Sequence, residues 1–262
     1  MKNRIILFIS FLMLVIIFGL TLPSKNGEVV VCDVGQGDAI LATYKNIQIL
    51  IDVGPDNKKV LSCLDRHMPF WDKTIEVVIL THGDSDHIGG LDDVNRSYKV
   101  DQYFSNGLLN QEIEQKISSK KIGQNDVINT NMFDFEVVSP DKNEEGLLDE
   151  NKNGVVGILK TKGEIRWSMF MSGDIEKETE QRLIWREIFK ENVDILKVSH
   201  HGSEAATSEE ILDFLKPKTA VISVGKNNRF GHPRGEVLER LNKRNIEIKR
   251  TDQVGDVVFK LN

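Results

Sequence analysis

The sequence predicts an α/β (α+β) fold, a four-layer αββα sandwich of two mixed β-sheets packed face to face with helices outside, preceded by an N-terminal apolar helix. Three observations predict it. Short Val-, Ile- and Leu-rich runs bounded by Gly, Asp or Asn alternate with helical stretches along the 262 residues. Strands open each half and helices cluster later, as expected of two sheets whose outer faces need covering. Ahead of both halves stands an apolar run, Ile5 to Leu22, interrupted only by Ser10, Gly19 and Thr21.

That first segment follows Lys2 and Arg4. Its length exceeds the roughly 7–15 residues of a signal-peptide core and approaches the ~20 that span a bilayer. A buried helix would show a polar face, and this run has none. No small-x-small cleavage site follows, since the chain continues Thr21-Leu22-Pro23-Ser24-Lys25. Residues 1–24 therefore read as a membrane anchor, with a cleaved signal peptide and secretion as the alternative. The leading positive charges keep the N-terminus in the cytoplasm and place the domain of residues 25–262 outside the cell membrane. Cys32 and Cys63 are the only cysteines, and an exported protein could pair them. Cys32 ends the apolar run Val29-Val30-Val31-Cys32, however, so two inert core thiols are expected. A lipoprotein cleavage box is disfavoured, because this run leads directly into a strand.

The first half reads as strands Glu28–Asp33, Asp38–Thr43 and Ile47–Asp52, a helix near Lys58–His67, and strand Glu76–Leu80. Glycine turns at Val34-Gly35-Gln36-Gly37-Asp38 and Asp52-Val53-Gly54-Pro55 punctuate it. A helix over Ile88–Tyr98 and a further strand and helix carry the chain to about Ser119. The polar stretch Ser139–Asn153 reads as a loop or flap between the halves. The second half runs Val155–Thr161, Ile165–Ser172, helix Glu176–Lys190, strand Val193–Val198, helix Ser208–Leu215, strand Thr219–Val224, helix Arg234–Lys243, and strands Ile246–Arg250 and Val257–Leu261. Each half is expected to give one sheet.

A formal charge of −6 argues against a broad electrostatic grip on nucleic acid, which needs many Lys and Arg contacts to phosphate. The chemistry lies elsewhere. In His82-Gly83-Asp84-Ser85-Asp86-His87 four metal-type ligands directly follow the apolar strand Val77-Val78-Ile79-Leu80. Imidazole and carboxylate together suit Zn²⁺, Mn²⁺ or Fe²⁺. Gly89-Gly90 then lets the backbone approach closely. An ordinary helix cap would use one such residue and leave the others unexplained. Asp174 ends another strand in Met171-Ser172-Gly173-Asp174, and His200-His201-Gly202-Ser203 ends a third. One edge of the sandwich thus collects the ligands of one or two divalent cations.

These residues resemble the metallo-β-lactamase superfamily, and within it the extracellular hydrolase domain of ComEC competence proteins. The resemblance rests on Cys32-Asp33-Val34-Gly35-Gln36-Gly37-Asp38-Ala39-Ile40, Leu50-Ile51-Asp52-Val53-Gly54, Thr81 through Gly90, Ser172-Gly173-Asp174, Ser199-His200-His201-Gly202-Ser203 and Gly231-His232-Pro233. It implies that His82 and Asp84 supply a first metal position, Asp86 and His87 a second, and Asp174 a bridge. It further implies that His200 joins the second metal while His201 and His232 face substrate. The wider superfamily has a histidine where this chain has Asp84, and another between His87 and His200 where this chain has none. The first metal is therefore short of protein ligands, with Asn153 a candidate replacement. ComEC proteins are large polytopic channels; this chain has one apolar segment, so DNA transport is not expected and hydrolysis is what carries over.

The expected chemistry is hydrolysis by water acidified on Zn²⁺ or Mn²⁺, attacking phosphorus or a carbonyl carbon. Asp86 or Asp174 orients that water, and His201 or His232 protonates the leaving group or binds an oxyanion. Lys226, Arg229 and Arg234 surround His232 and suggest, with Lys197, a local phosphate pocket. Ser203 lacks the strand-nucleophile-helix elbow of a serine hydrolase. The leading reading is a membrane-anchored phosphodiesterase whose anionic substrate is single-stranded DNA or another phosphodiester; no protein partner is inferred. An ester, lactone or amide hydrolase is the alternative, and a degenerate binding domain the third.

Overall fold

The computed structural model describes residues 2–20, 27–142, 153–186 and 192–261. From the N-terminus the elements are α1 (Lys2–Leu20), β1 (Gly27–Val31), β2 (Ile40–Tyr44), β3 (Ile47–Ile51), α2 (Lys59–His67), β4 (Thr74–Leu80), the single turn α3 (Ser85–Ile88), α4 (Leu91–Ser97), β5 (Lys99–Ser105), α5 (Gln111–Ile117) and β6 (Lys120–Lys121). There follow β7 (Val127–Asn129), β8 (Phe133–Ser139), β9 (Val156–Thr161), β10 (Ser168–Met171), α6 (Lys177–Trp185), β11 (Ile195–Lys197), α7 (Glu209–Leu215), β12 (Thr219–Ile222), α8 (Gly235–Lys243), β13 (Glu247–Arg250), α9 (Thr251–Val254) and β14 (Val257–Leu261).

Two seven-stranded sheets form, in the orders β14-β1-β2-β3-β4-β5-β6 and β13-β12-β11-β10-β9-β8-β7. Alternation along each strand sends every second side chain to the opposite face. Val29 and Val31 of β1, Ile49 and Ile51 of β3, and Val77 and Ile79 of β4 meet Phe133, Phe135, Leu159, Met169 and Met171 between the sheets. Val30, Leu50, Val78 and Leu80 point the other way, onto Val60 and Leu64 of α2 and Leu91 and Val94 of α4. On the far side, Ile158, Phe170, Leu196 and Ile222 pack beneath Leu183 of α6, Ile211 and Leu215 of α7, and Val237 and Leu241 of α8. Three buried layers between four structural layers give the predicted αββα sandwich of mixed sheets.

Two expectations change. The halves do not each form one sheet: β14 returns to pair antiparallel with β1, while β7 and β8 already belong to the second sheet. Cys32 and Cys63 are disulfide-bonded rather than free, their Cα atoms 5.9 Å apart. The same burial that suggested inert thiols brings them together, because α2 lies directly over the end of β1.

The proposed anchor over residues 5–22 ends outside the described residues, as does most of the proposed flap at Ser139–Asn153. Among the described residues no helix is long and apolar enough to cross a membrane.

The central strands β3, β4 and β5 run parallel to one another, as do β10, β11, β12 and β13. Parallel strands deliver their carboxyl ends to one rim, where open sheets bind ligands.

Candidate metal centre

At that rim β4 ends at Leu80, and the chain crosses Thr81–Asp84 before α3 starts at Ser85. One turn of helix puts Asp86 and His87 beside the ends of β10 and β11. Single ligand atoms from Asp86, His87, Asp174 and His201 lie within 4.8 Å of one another. Asp174 stands between the two imidazoles, with Oδ1 3.3 Å from His87 Nε2 and Oδ2 3.4 Å from His201 Nε2. His201 Nε2 is also 3.2 Å from Asp86 Oδ2. His87, Asp174 and His201 are buried, whereas Asp86 is partly exposed and marks the mouth.

Each inner imidazole is oriented by its other nitrogen. His87 Nδ1 lies 2.7 Å from Asp52 Oδ2, a carboxylate that can only accept, so Nδ1 carries the proton and Nε2 presents a lone pair. Thr81 Oγ1 donates to the same Asp52 oxygen at 2.7 Å and so accepts from His82 Nδ1 at 2.9 Å. His201 Nδ1 donates to the Ser223 carbonyl at 2.9 Å. Three Nε2 atoms are thereby left facing the centre, each able to bind a cation once it carries no proton. Among the described residues, His82 Nε2, His87 Nε2, His201 Nε2 and Asp174 Oδ1 are buried without any hydrogen-bond partner. Buried polar atoms are normally satisfied. Nitrogen and carboxylate atoms left open together match the donor set of a divalent transition metal, so these residues fit such an ion.

The electrostatics agree. Burial opposes charge on His201, yet Asp174 and Asp38 overcome it and push its pKa up to about 9. His87 is likewise raised well above its ordinary value, against burial, by Asp174 and Asp52. Asp174 is held well below the carboxylate range despite burial, by His201 and His87. The cluster demands positive charge at its centre, and protons or a cation can supply it. His232 shifts the opposite way, to about 4, through burial and the neighbouring His200, His201 and Arg234.

Residues 32–107 match the family model described as the metallo-beta-lactamase superfamily. Those residues thus form a metallo-β-lactamase family-model domain. It is 32% identical over 265 residues to "ComE operon protein 3" of Bacillus subtilis (strain 168), covering 90% of this chain and 33% of that protein. The chain thus spans about a third of that relative's length. The metallo-beta-lactamase fold protein YhfI from Bacillus subtilis superposes with a TM-score of 0.61 at 13% identity, over 89% of this chain and 99% of that one. A diphosphatase from the PhnP family gives 0.54 at 16% identity, over 89% and 98%. Both structures share the fold, and the family match supports a metal-dependent hydrolase.

Within this metallo-β-lactamase domain the expected site residues separate into an inner group and a rim. His82 packs against His87 with the rings tilted by 49° and their centroids 4.0 Å apart, and Asp84 Oδ2 lies 3.5 Å from its Nε2. Those two adjoin the inner group, and Asp84 is half exposed. The resemblance gave His200 to the metal and His201 to substrate; the ligand atoms lying within 4.8 Å of one another include one from His201 and none from His200. Both residues have left-handed backbone, φ 49° and 54°, in the short 3-10 turn after β11. That turn sends His201 inward and leaves His200 at the rim, 3.8 Å from Asp174 and 3.9 Å from Glu176.

His232 stands 6.0 Å from His200, and Lys226 and Arg229 lie exposed on the loop before it. Asn228 holds that loop by donating to the carbonyls of Gly225 and His232. Lys197 does not belong to a phosphate pocket: it is 1% exposed and paired with Asp38. Ser203 Oγ accepts from the Ala205 amide. Asn153 is buried, its carbonyl accepting from Asn106.

Asp52, Thr81 and Ser223 orient ligands, yet the sequence singled none of them out for that work. Asp52 did carry a signal. Like His82, Asp174 and His200, it follows an apolar strand that ends at the same rim.

Proposed function

We propose that this domain is an extracytoplasmic phosphodiesterase, tethered to the membrane through residues 5–22 and using one or two Zn²⁺ or Mn²⁺ ions. The observation that carries the catalytic part is the set of buried, unpartnered Nε2 and carboxylate atoms at the rim. Asp86, His87, Asp174 and His201 would hold the tighter ion, and His82 and Asp84, with Asp174 between, a weaker second one. A bound divalent cation would acidify water and neutralise charge developing on the substrate's oxygens.

The chain's own groups then have distinct tasks. Asp86, at the mouth, orients the attacking water. His232 is uncharged at neutral pH and offers a hydrogen bond to the substrate or leaving oxygen rather than a charge. Lys226 and Arg229 draw an anion to a molecule whose net charge is −6. This local basic loop favours a phosphodiester over a neutral ester or lactone, and the similar fold of a PhnP-family diphosphatase supports the same choice. The Cys32–Cys63 disulfide and the apolar N-terminal run support an oxidising, extracytoplasmic setting.

The test is turnover of bis-p-nitrophenyl phosphate and single-stranded DNA by the full chain in detergent with Mn²⁺ or Zn²⁺. Wild-type protein should cleave a diester, and His87→Ala should lose both metal and activity. Full activity in His87→Ala would exclude the metal centre, and turnover of lactones or carboxylic esters alone would exclude the phosphodiester assignment. Flotation of the full chain with lipid vesicles checks the tether; a chain that stays in the soluble fraction has none.

A further inference from the structure

Asp38 and Lys197 are 2% and 1% exposed, and nothing in the proposed chemistry uses either. Asp38 Oδ2 lies 2.6 Å from Lys197 Nζ, which also donates to the Val198 carbonyl at 3.0 Å. Asp38 comes from the glycine loop between β1 and β2 of one sheet, and Lys197 is the last residue of β11 in the other. The pair is therefore a bond between the sheets, made beside the centre. Removing two charges from water costs several kcal/mol per ion, and apolar residues of similar volume often do as well or better. Stability alone does not account for it.

Its neighbours give it a purpose. The Asp38 amide donates to the Asp86 carbonyl at 3.1 Å, and the Asp38 carbonyl accepts from Gly54 at 2.8 Å. Ser223 Oγ donates to the Gly37 carbonyl at 2.6 Å, while the Ser223 carbonyl receives His201 Nδ1. Asp38 Oδ1, buried without a hydrogen bond, is 3.5 Å from that same Nδ1. Gly37 admits no side chain, since a Cβ there would sit 2.2 Å from the Asp86 carbonyl oxygen. Asp38 thus touches the backbone of one ligand and the imidazole of another that arrives from the opposite sheet.

We propose that the Lys197–Asp38 pair is the positioning element of the metal centre, setting Asp86 of the first sheet against His201 of the second. The proposal rests on the metal-binding reading above. It is tested by Lys197→Met, Asp38→Asn and the double variant in the full chain, with Mn²⁺ affinity from calorimetry, the Co²⁺ absorption spectrum, and thermal unfolding.

Each single variant should lose both stability and Mn²⁺ affinity. The double variant buries no unpaired charge, so it should unfold close to wild type yet bind Mn²⁺ at least about tenfold more weakly, as loss of a ligand's supporting partner does. Its Co²⁺ spectrum should be altered. A double variant with wild-type affinity and spectrum overturns the proposal, because the pair would then serve packing alone; one that does not fold overturns it by making the pair a requirement of the fold. Wild-type protein that binds no Mn²⁺, Zn²⁺ or Co²⁺ removes the metal reading itself, and this proposal with it.

Discussion

Asp52 sits one residue beyond β3 in left-handed backbone, φ 57°, and accepts from the Thr81 amide, the Thr81 hydroxyl and His87 Nδ1. Asparagine tolerates that conformation, so Asp52→Asn changes charge with little change of shape. It should lower Mn²⁺ affinity about 10- to 100-fold, measured by calorimetry, as expected for an outer partner of a ligating histidine. His67 offers a pH test away from the centre. Its pKa is raised by Glu28, against burial and with help from Asp256. A raised folded pKa means that the stabilisation is complete below about pH 6.5 and fades as pH rises through the folded value. The stability difference between wild type and His67→Gln, from urea unfolding, should be of the order of 1 kcal/mol at pH 6 and shrink toward pH 9. A difference that grows with pH would reverse the assignment. At this scale the cluster from His82 to His87 was legible because four metal-type ligands in six positions have no commoner use. Asp38 and Asp52 were not, since a carboxylate after an apolar strand also reads as a turn residue and its partners lie far along the chain. The choice between His200 and His201 depended on two backbone angles that adjacent, identical residues do not announce.

Secondary structure was easier to read where period and punctuation agreed. β3, β9, β12 and β14 fall within the predicted runs because each is short and apolar, while β4 begins at Thr74, ahead of its predicted start at Glu76. The helix expected over Ile88–Tyr98 starts only at Leu91 as α4, after the separate turn α3 and Gly89-Gly90, where a Cβ on Gly90 would meet the Val53 carbonyl oxygen at 2.3 Å. β8 was passed over although Phe133-Asp134-Phe135-Glu136-Val137 alternates strictly and its burial follows suit. Cys32 and Cys63 were expected as inert thiols, since their pairing depends on where α2 lands. Closing a loop across 31 positions, this bridge should contribute about 2–4 kcal/mol. Cys63→Ser, or reduction under denaturing conditions, should lower the urea midpoint accordingly; an unchanged midpoint would mean the thiols are not joined in the purified protein.

The sandwich as a whole depends on the aromatic layer between its sheets. Phe135 is fully buried there, its ring standing where a Cβ on Gly157 would otherwise lie. Phe135→Ala should cost about 3–5 kcal/mol in urea unfolding, with metal affinity kept in whatever fraction remains folded. The architecture was legible from the order of elements, but the assignment of strands to sheets was not, because β7, β8 and β14 cross a boundary that composition alone places elsewhere. The position of β14 has a consequence for synthesis. Until Val257–Leu261 has emerged and docked, the backbone of Val29, Val30 and Val31 is an unguarded rung open to any other nascent chain. Once it docks, β14 becomes that edge in place of β1, and the opposite edges of the two sheets are β6 and β7, two and three residues long, which offer little to template on. A chain truncated before Val257 should therefore self-associate more readily than the 262-residue chain, which light scattering at matched concentration would show.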